Sequence, residues 1–325
     1  MNNHPGSENE QILLEKLRKL EKKYESSGQN LISYLDGLYE TDFLNYWDYI
    51  HLDTLLSLQV KRTVLPDEEI FIVYHQITEL YFKLIISELK QICRAESADV
   101  SLTVVKINRI NRYFEALNQS FRIMADGMDS GQFMRFRMAL LPASGFQSVQ
   151  FRLIEIMCTQ LENLSGSEAG EPSVNRSHGD ALSNLYWRSG ATDLNSGKKT
   201  ITLERFEEKY NETIRWFAAD YEKINLNQLL EQGFWGKTLP EELLGAFRLL
   251  DRQINILWRS AHFNSASRYL RSNQKTTQAT GGTNWMRYLP PRMQKIVFFP
   301  SLWSAEELSN WGQQPEENSA NQRPV

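Results

Sequence analysis

Five histidines stand in the 325-residue sequence, and three of them, His51, His75 and His262, fall within apolar helical patterns. A neutral imidazole can ligate a metal, carry a proton or make a hydrogen bond, so each of the three is a candidate for chemistry. Around the stretch YHQITELYFKLIISEL, Phe71, His75, Thr78 and Phe82 share one helical stripe, and His75 projects between two phenylalanines. Two readings are open: a core histidine bonded to a backbone carbonyl, or a polar group with a task in an apolar pocket. His262, in LDRQINILWRSAHFNSASRYL, shares a mainly apolar stripe with Ile254, Trp258 and Tyr269. It is either a satisfied core histidine or a single axial ligand of the kind that holds a haem iron. No HxxxH, HExxH or Glu-x-x-His pair occurs, which counts against zinc hydrolases and di-iron bundles. A metal would have to arrive in a macrocycle supplying most of the ligands.

The stretch FMRFRMALLPASGFQSVQFRLIE sets Arg135 and Arg137 just before a Pro-Ala-Ser-Gly turn. A guanidinium at Arg137, beside an aromatic and near a glycine turn, could clamp a carboxylate bidentately, whereas Arg135 suits a surface ion pair. Late in the chain, TQATGGTNWMRYL offers a Thr-Gly-Gly loop whose amides and hydroxyls could close over a ligand, or simply a turn.

Helices must position these residues. Apolar periodicity predicts an amphipathic helix over 8–27 ending near Gly28, a dense aromatic segment around FLNYWDYIHLDTLLSLQ, and a helix through His75 with Asp67 as its N-cap. Further helices are predicted over 101–126, 146–164, 202–224 and 240–272, and strand-like alternation is scarce. The fold class is all-α, in a single domain over 1–325 with a helical arm at 8–27. Residues 164–200, rich in Gly, Ser, Asn and Asp, read as a long surface excursion, and 312–325 as a disordered tail.

Bulk properties narrow the classes of function. A hydrophobic content of 41% is enough for a substantial core. The formal charge of -4, with no Lys/Arg-rich block, argues against nucleic acid as a partner. Cys93 and Cys158 sit far apart within apolar patterns, as buried thiols of a reducing compartment do. The N-terminus has no signal-peptide pattern, and no uninterrupted apolar run reaches the ~18 residues of a membrane span. The expectation is a cytoplasmic protein without membrane contact.

Taken in order from about Tyr46 to Trp303, the motifs YWDYIHLDTLLSLQ, DEEIFIVYHQITELYFKLIISEL, FRMALLPASGFQSVQFRLIE, WRSAH, TGGTNWMRYL and FFPSLW resemble those of the tryptophan 2,3-dioxygenase family. The resemblance implies an all-helical haem-dioxygenase fold, one haem b per subunit and a homotetramer. It implies insertion of O2 across the indole C2–C3 bond of L-tryptophan to give N-formylkynurenine, the first step of kynurenine-pathway catabolism. By the same resemblance His262 matches the axial iron ligand, and His75 the distal histidine near the substrate's indole N–H. Phe71 matches an aromatic wall over the indole, Arg137 the partner of the substrate carboxylate, and Phe133 the aromatic one turn before it. Ser144 and Gly145 match the turn lining the haem pocket, and Thr280 the threonine of the loop that closes over the substrate's amino-acid part. Tyr46, Tyr49 and Ile50 match positions that a neighbouring subunit contributes.

The closing loop departs from the family's pattern, with Ala279 and Trp285 where glycines are usual and Thr283 where serine is. A change from glycine to tryptophan alters volume and backbone freedom, so closure differs. The rival readings are a haem-dependent oxygenase of a substituted tryptophan or another aromatic amino acid, and a non-catalytic haem sensor or helical scaffold. A sensor needs the axial ligand but no carboxylate clamp, so the joint presence of His75, Phe71 and Arg137 favours an enzyme.

Overall fold

The computed structural model describes residues 6–140, 145–165, 178–192, 197–272, 275–276 and 290–313. The chain divides into two compact units, Met1–Leu58 and Gln59–Val325.

The first unit holds α1 (Gly6–Glu25), α2 (Leu31–Tyr39), α3 (Tyr46–Tyr49) and α4 (Leu52–Leu56). The helix expected over 8–27 is α1, and Gly28 takes φ +72° just beyond its end, with the Gln29 N–H donating to Tyr24 O at 2.9 Å. Asn30 caps α2 by accepting from the Ile32 N–H at 2.8 Å. None of α2, α3 and α4 buries a side chain. Tyr46 and Tyr49 are 71% and 73% exposed, and Phe43, Trp47 and His51 are exposed as well.

The second unit is built on α5 (Asp67–Cys93), α6 (Val100–Ser120), α7 (Arg122–Asp126), α8 (Ser130–Phe136) and α9 (Val149–Cys158). Next come α10 (His178–Ser183), α11 (Tyr186–Gly190), α12 (Ile201–Tyr221) and α13 (Leu226–Glu231). Then α14 (Glu241–Arg252) runs through a π turn (Gln253–Trp258) into α15 (Arg259–Leu270), followed by α16 (Pro291–Gln294) and α17 (Ala305–Ser309). The all-α expectation holds; the strand pairing described is a two-residue antiparallel ladder, Arg271 with Thr276 and Ser272 with Lys275.

The core lies where α5 packs on α6 and α9, α6 on α14, and α9 on α12. Ile85, Leu89, Ile107, Ile110, Phe114, Ile154, Phe247 and Leu250 meet there, fully buried. Helix α5 is long and apolar enough to cross a membrane by composition alone, yet one face of it builds this core. Its polar interruptions are satisfied: Glu88 pairs with Lys106 at 3.2 Å and Arg109 at 3.1 Å. Asp99, Asp129 and Ser148 cap α6, α8 and α9 as short oxygen-bearing side chains do.

Two expectations need correction. Asp67 is the first residue of α5 and not its cap, because Pro66 already has helical angles (φ -57°, ψ -44°). Its carboxylate accepts instead from the Asp129 N–H at 2.6 Å, tying the start of α5 to the start of α8. The supposed surface excursion also turns inward in part: Ala181, Leu182, Leu185, Tyr186, Trp187 and Ala191 are buried in the core. The polar residues around them dominate the composition, and these apolar ones drive the docking. Residues 166–177, 193–196 and the tail from 314 lie outside the described residues.

Candidate active site

Helix α5 supplies one side. Its first turn is held by Glu68, a buried carboxylate that accepts from the Arg62 and Thr63 N–H groups at 2.7 Å each and from Thr63 Oγ1 at 2.6 Å. Phe71 and His75 follow on one stripe, their ring centroids 4.1 Å apart. His75 Nδ1 donates to the Phe71 carbonyl at 2.7 Å, which leaves Nε2 as the acceptor nitrogen. The side chain is exposed, with the Phe71 and Tyr74 rings packed against it. Desolvation lowers its pKa, with the Phe71 carbonyl and Glu79 acting in the opposite direction. Gln76, the other polar residue in this apolar run, accepts from Gln59 Nε2 at 2.6 Å.

Helix α8 and the 3-10 turn after it supply the second side. The Phe133 ring lies 6.3 Å from Phe71 and 5.5 Å from Phe136, which itself stands edge-on to Phe71 at 5.8 Å. Arg137 opens the 3-10 turn one helical turn after Phe133 and is only 3% exposed. Its Nη1 contacts the Met134 sulfur at 3.8 Å, and burial pulls its pKa down from the usual guanidinium range.

The third side is α15. The π turn inserts one extra residue where α14 hands over to α15, and so rotates the residues that follow. His262 Nδ1 donates to the Trp258 carbonyl at 2.9 Å, so its Nε2 lone pair is available to a metal. Its ring lies 4.6 Å from Phe121 and 4.4 Å from Trp258. Burial lowers the His262 pKa to about 4, against the bond to the Trp258 carbonyl, which acts in the opposite direction. Aromatic contacts link the two imidazoles: His75 to Tyr74 at 6.1 Å, Tyr74 to Phe121 at 5.8 Å, and Phe121 to His262.

Beneath His262 runs a buried polar network that sequence reasoning missed. The Asp251 carboxylate accepts from Asn255 Nδ2 at 2.7 Å, from the Phe298 and Phe299 N–H groups at 3.0 and 3.2 Å, and from Trp303 Nε1 at 3.0 Å. Burial still raises its pKa against those four bonds. Asn255 Oδ1 accepts from Arg259 Nη2 at 3.0 Å, and the same Nη2 donates to Glu155 Oε1 at 2.9 Å. Arg152 pairs with Glu155 at 3.0 Å, and the Tyr186 hydroxyl donates to Glu155 at 2.6 Å while accepting from Arg152 at 2.8 Å. The positive charges of Arg259 and Arg152 both help to keep His262 neutral. The signal was present as Asp251, Asn255 and Arg259 at four-residue spacing along one stripe of the helix.

The structure thus brings Phe71, His75, Phe133 and His262 into one aromatic neighbourhood and buries Arg137 one turn from Phe133. Gly145 is described, at the start of a 3-10 turn, and a Cβ built there would meet nothing within 4 Å. Ser144, Thr280, Ala279, Thr283 and Trp285 lie outside the described residues, and Tyr46, Tyr49 and Ile50 belong to the other unit. Among the described residues no cluster of three or more His, Cys, Asp or Glu side chains could hold a bare metal ion. A single neutral imidazole with an available Nε2, set in aromatic surroundings, fits a flat macrocycle that brings its own equatorial nitrogens.

The family described as tryptophan 2,3-dioxygenase matches residues 37–166 of the chain. A tryptophan 2,3-dioxygenase of Ruegeria sp. (strain TM1040) is 30% identical over 282 residues, covering 81% of this chain and 92% of its own length. One from Bradyrhizobium diazoefficiens is 30% identical over 288 residues, covering 83% of this chain and 95% of its own. Tryptophan 2,3-dioxygenase 2 of Ralstonia nicotianae is 42% identical over 125 residues, 35% of this chain and 34% of its own.

Proposed function

The chain belongs to the tryptophan 2,3-dioxygenase family, and from that premise we propose that it is a haem-dependent oxidoreductase inserting both atoms of O2 across the indole C2–C3 bond of L-tryptophan to give N-formylkynurenine. The observation that carries this reading is two imidazoles, His262 and His75, linked through the rings of Tyr74 and Phe121, each with Nδ1 committed to the carbonyl four residues before it.

His262 would hold one haem b per subunit through Nε2, and by family resemblance Ser144 and Gly145 would line the same pocket. The haem, when bound, supplies the redox chemistry that activates O2. The protein's own residues bind, orient and keep water out. Arg137 takes the substrate carboxylate, for which an apolar pocket otherwise offers no partner. Phe71 and Phe133 enclose the indole, and neutral His75 accepts the indole N–H at Nε2. The separation between clamp and slot then selects an aromatic amino acid of indole length. No strong base is required of His75, in keeping with its lowered pKa.

Thr280 would close over the amino-acid part of the substrate, and Tyr46, Tyr49 and Ile50 of a neighbouring subunit would complete the pocket. Support for a homo-oligomer, a tetramer by family resemblance, comes from α2, α3 and α4, whose apolar side chains are left without burial. On this reading the reaction is the first step of tryptophan degradation and runs in the cytoplasm, in keeping with Cys93 and Cys158 being free, buried thiols.

The test is to load the purified protein with haemin, reduce it, and titrate L-tryptophan while following the haem absorption band and the appearance of N-formylkynurenine under O2. A band shift with product formation supports the reading. Reduced, haem-loaded protein that forms no product overturns it.

A further inference from the structure

The proposed reaction needs the clamp side of the pocket, α8 with Phe133 and the following Arg137, held at a fixed spacing from the ligand helix α15. One side chain joins the two directly. Tyr269 stands seven residues beyond His262, two helical turns or about 10 Å along α15. Its ring lies 4.7 Å from Phe133, and Phe133 continues through Phe71 to His75. Its hydroxyl donates to the Met124 carbonyl at 2.8 Å and lies 3.4 Å from that of Met128. Those carbonyls flank Gly127, where any Cβ would stand 2.5 Å from the Ile123 carbonyl, so the turn between α7 and α8 is tightly closed. On the surface beside it, Arg268 pairs with Asp126 at 3.1 Å and ties the same two segments.

A residue that merely filled this space would need no hydroxyl, and a residue that merely capped α7 would need no ring. Tyr269 does both: its ring backs Phe133, and its hydroxyl fixes the turn from which α8 departs. We propose that Tyr269 is a positioning residue that sets the distance between the carboxylate clamp and the axial-ligand helix, and through it the fit of the substrate's side chain. The proposal rests on the dioxygenase reading for its substrate, but its mechanical part does not.

The experiment compares haem-loaded wild type, Tyr269→Phe and Tyr269→Leu in two assays. One is steady-state turnover of L-tryptophan; the other is amide hydrogen exchange of residues 130–137 in the substrate-free protein. Tyr269→Leu is expected to raise KM about tenfold with kcat within about threefold of wild type, because misplacing a clamp costs binding and orientation before chemistry. Haem content stays at the wild-type level, amides of 130–137 exchange faster, and those of α9 do not change. Tyr269→Phe falls between the two. Wild-type KM and exchange in Tyr269→Leu overturn the proposal, as does a variant that loses haem together with both kinetic constants. If Tyr269→Leu does not fold, Tyr269→Phe decides: faster exchange at 130–137 with raised KM supports, no change in both overturns. If wild type does not turn over tryptophan, the functional reading fails, and the exchange data alone judge the role of Tyr269.

Discussion

His262 donates from Nδ1 to the carbonyl of Trp258 at 2.9 Å, across the junction where the π turn gives way to α15. That bond decides the tautomer: the carbonyl can only accept, so the proton sits on Nδ1 and the outward nitrogen keeps its lone pair. His262→Ala is therefore expected to abolish stoichiometric haem binding while leaving the helical signal of circular dichroism intact. Haem absorbance per subunit in protein prepared with excess haemin is the measurement. A variant that retains a full complement of haem sinks the ligand assignment.

The Glu155 carboxylate sits between Arg152 and Arg259 with almost no solvent contact. Removing it strands two buried cations, and breaking a buried pair from one side costs about 3–5 kcal/mol. Glu155→Gln should lower the unfolding free energy, read from urea denaturation, by that amount. Tyr186→Phe, which deletes one hydroxyl from the same cluster, should cost about 1 kcal/mol. Equal effects of the two would mean that the charges are satisfied elsewhere.

Much of this arrangement is legible in the sequence, and what is not has physical causes. The helices through Phe71 and His75 and through Trp258 and His262 follow from apolar spacing alone. Spacing cannot say whether either imidazole is merely buried, since a core histidine also bonds the carbonyl four residues back, as both do here. Only the family resemblance, and not the spacing, gives His75 and His262 their expected roles. Tyr186 was hidden because Gly, Ser and Asn around it outvote five apolar neighbours in any composition window. The role of Glu155 was hidden because an arginine three residues earlier makes it look like an ordinary surface pair. The extra residue of the π turn leaves no compositional mark.

Arg137 is buried, and burial alone already depresses its pKa. An anion that reaches this guanidinium meets little competing water, so the pair should be strong. Arg137→Ala should weaken L-tryptophan binding by about 2–5 kcal/mol. Arg137→Lys should recover only part of that, because a point charge does not reproduce the planar fork. Spectral titration of the haem band with L-tryptophan reads both variants. Wild-type affinity in Arg137→Ala would place the clamp elsewhere.

Glu68 provides the pH prediction. Burial by itself raises its pKa, but bonds from Thr63 Oγ1 and from the Arg62 and Thr63 N–H groups outweigh that, and the net shift is downward from 4.5. The folded carboxyl thus holds its proton less tightly than the unfolded one. Its contribution is complete above the unfolded value and is lost as pH falls below about 4.5 through the lower folded value. Glu68→Gln removes this dependence and also loosens the segment 62–63 that anchors the first turn of α5, one turn before Phe71. Urea unfolding from pH 7 down to pH 3 should show wild type and variant converging on the acid side, with wild type the more stable at neutral pH. Parallel curves across that window would show that the Glu68 carboxylate does not gain its proton differently on folding.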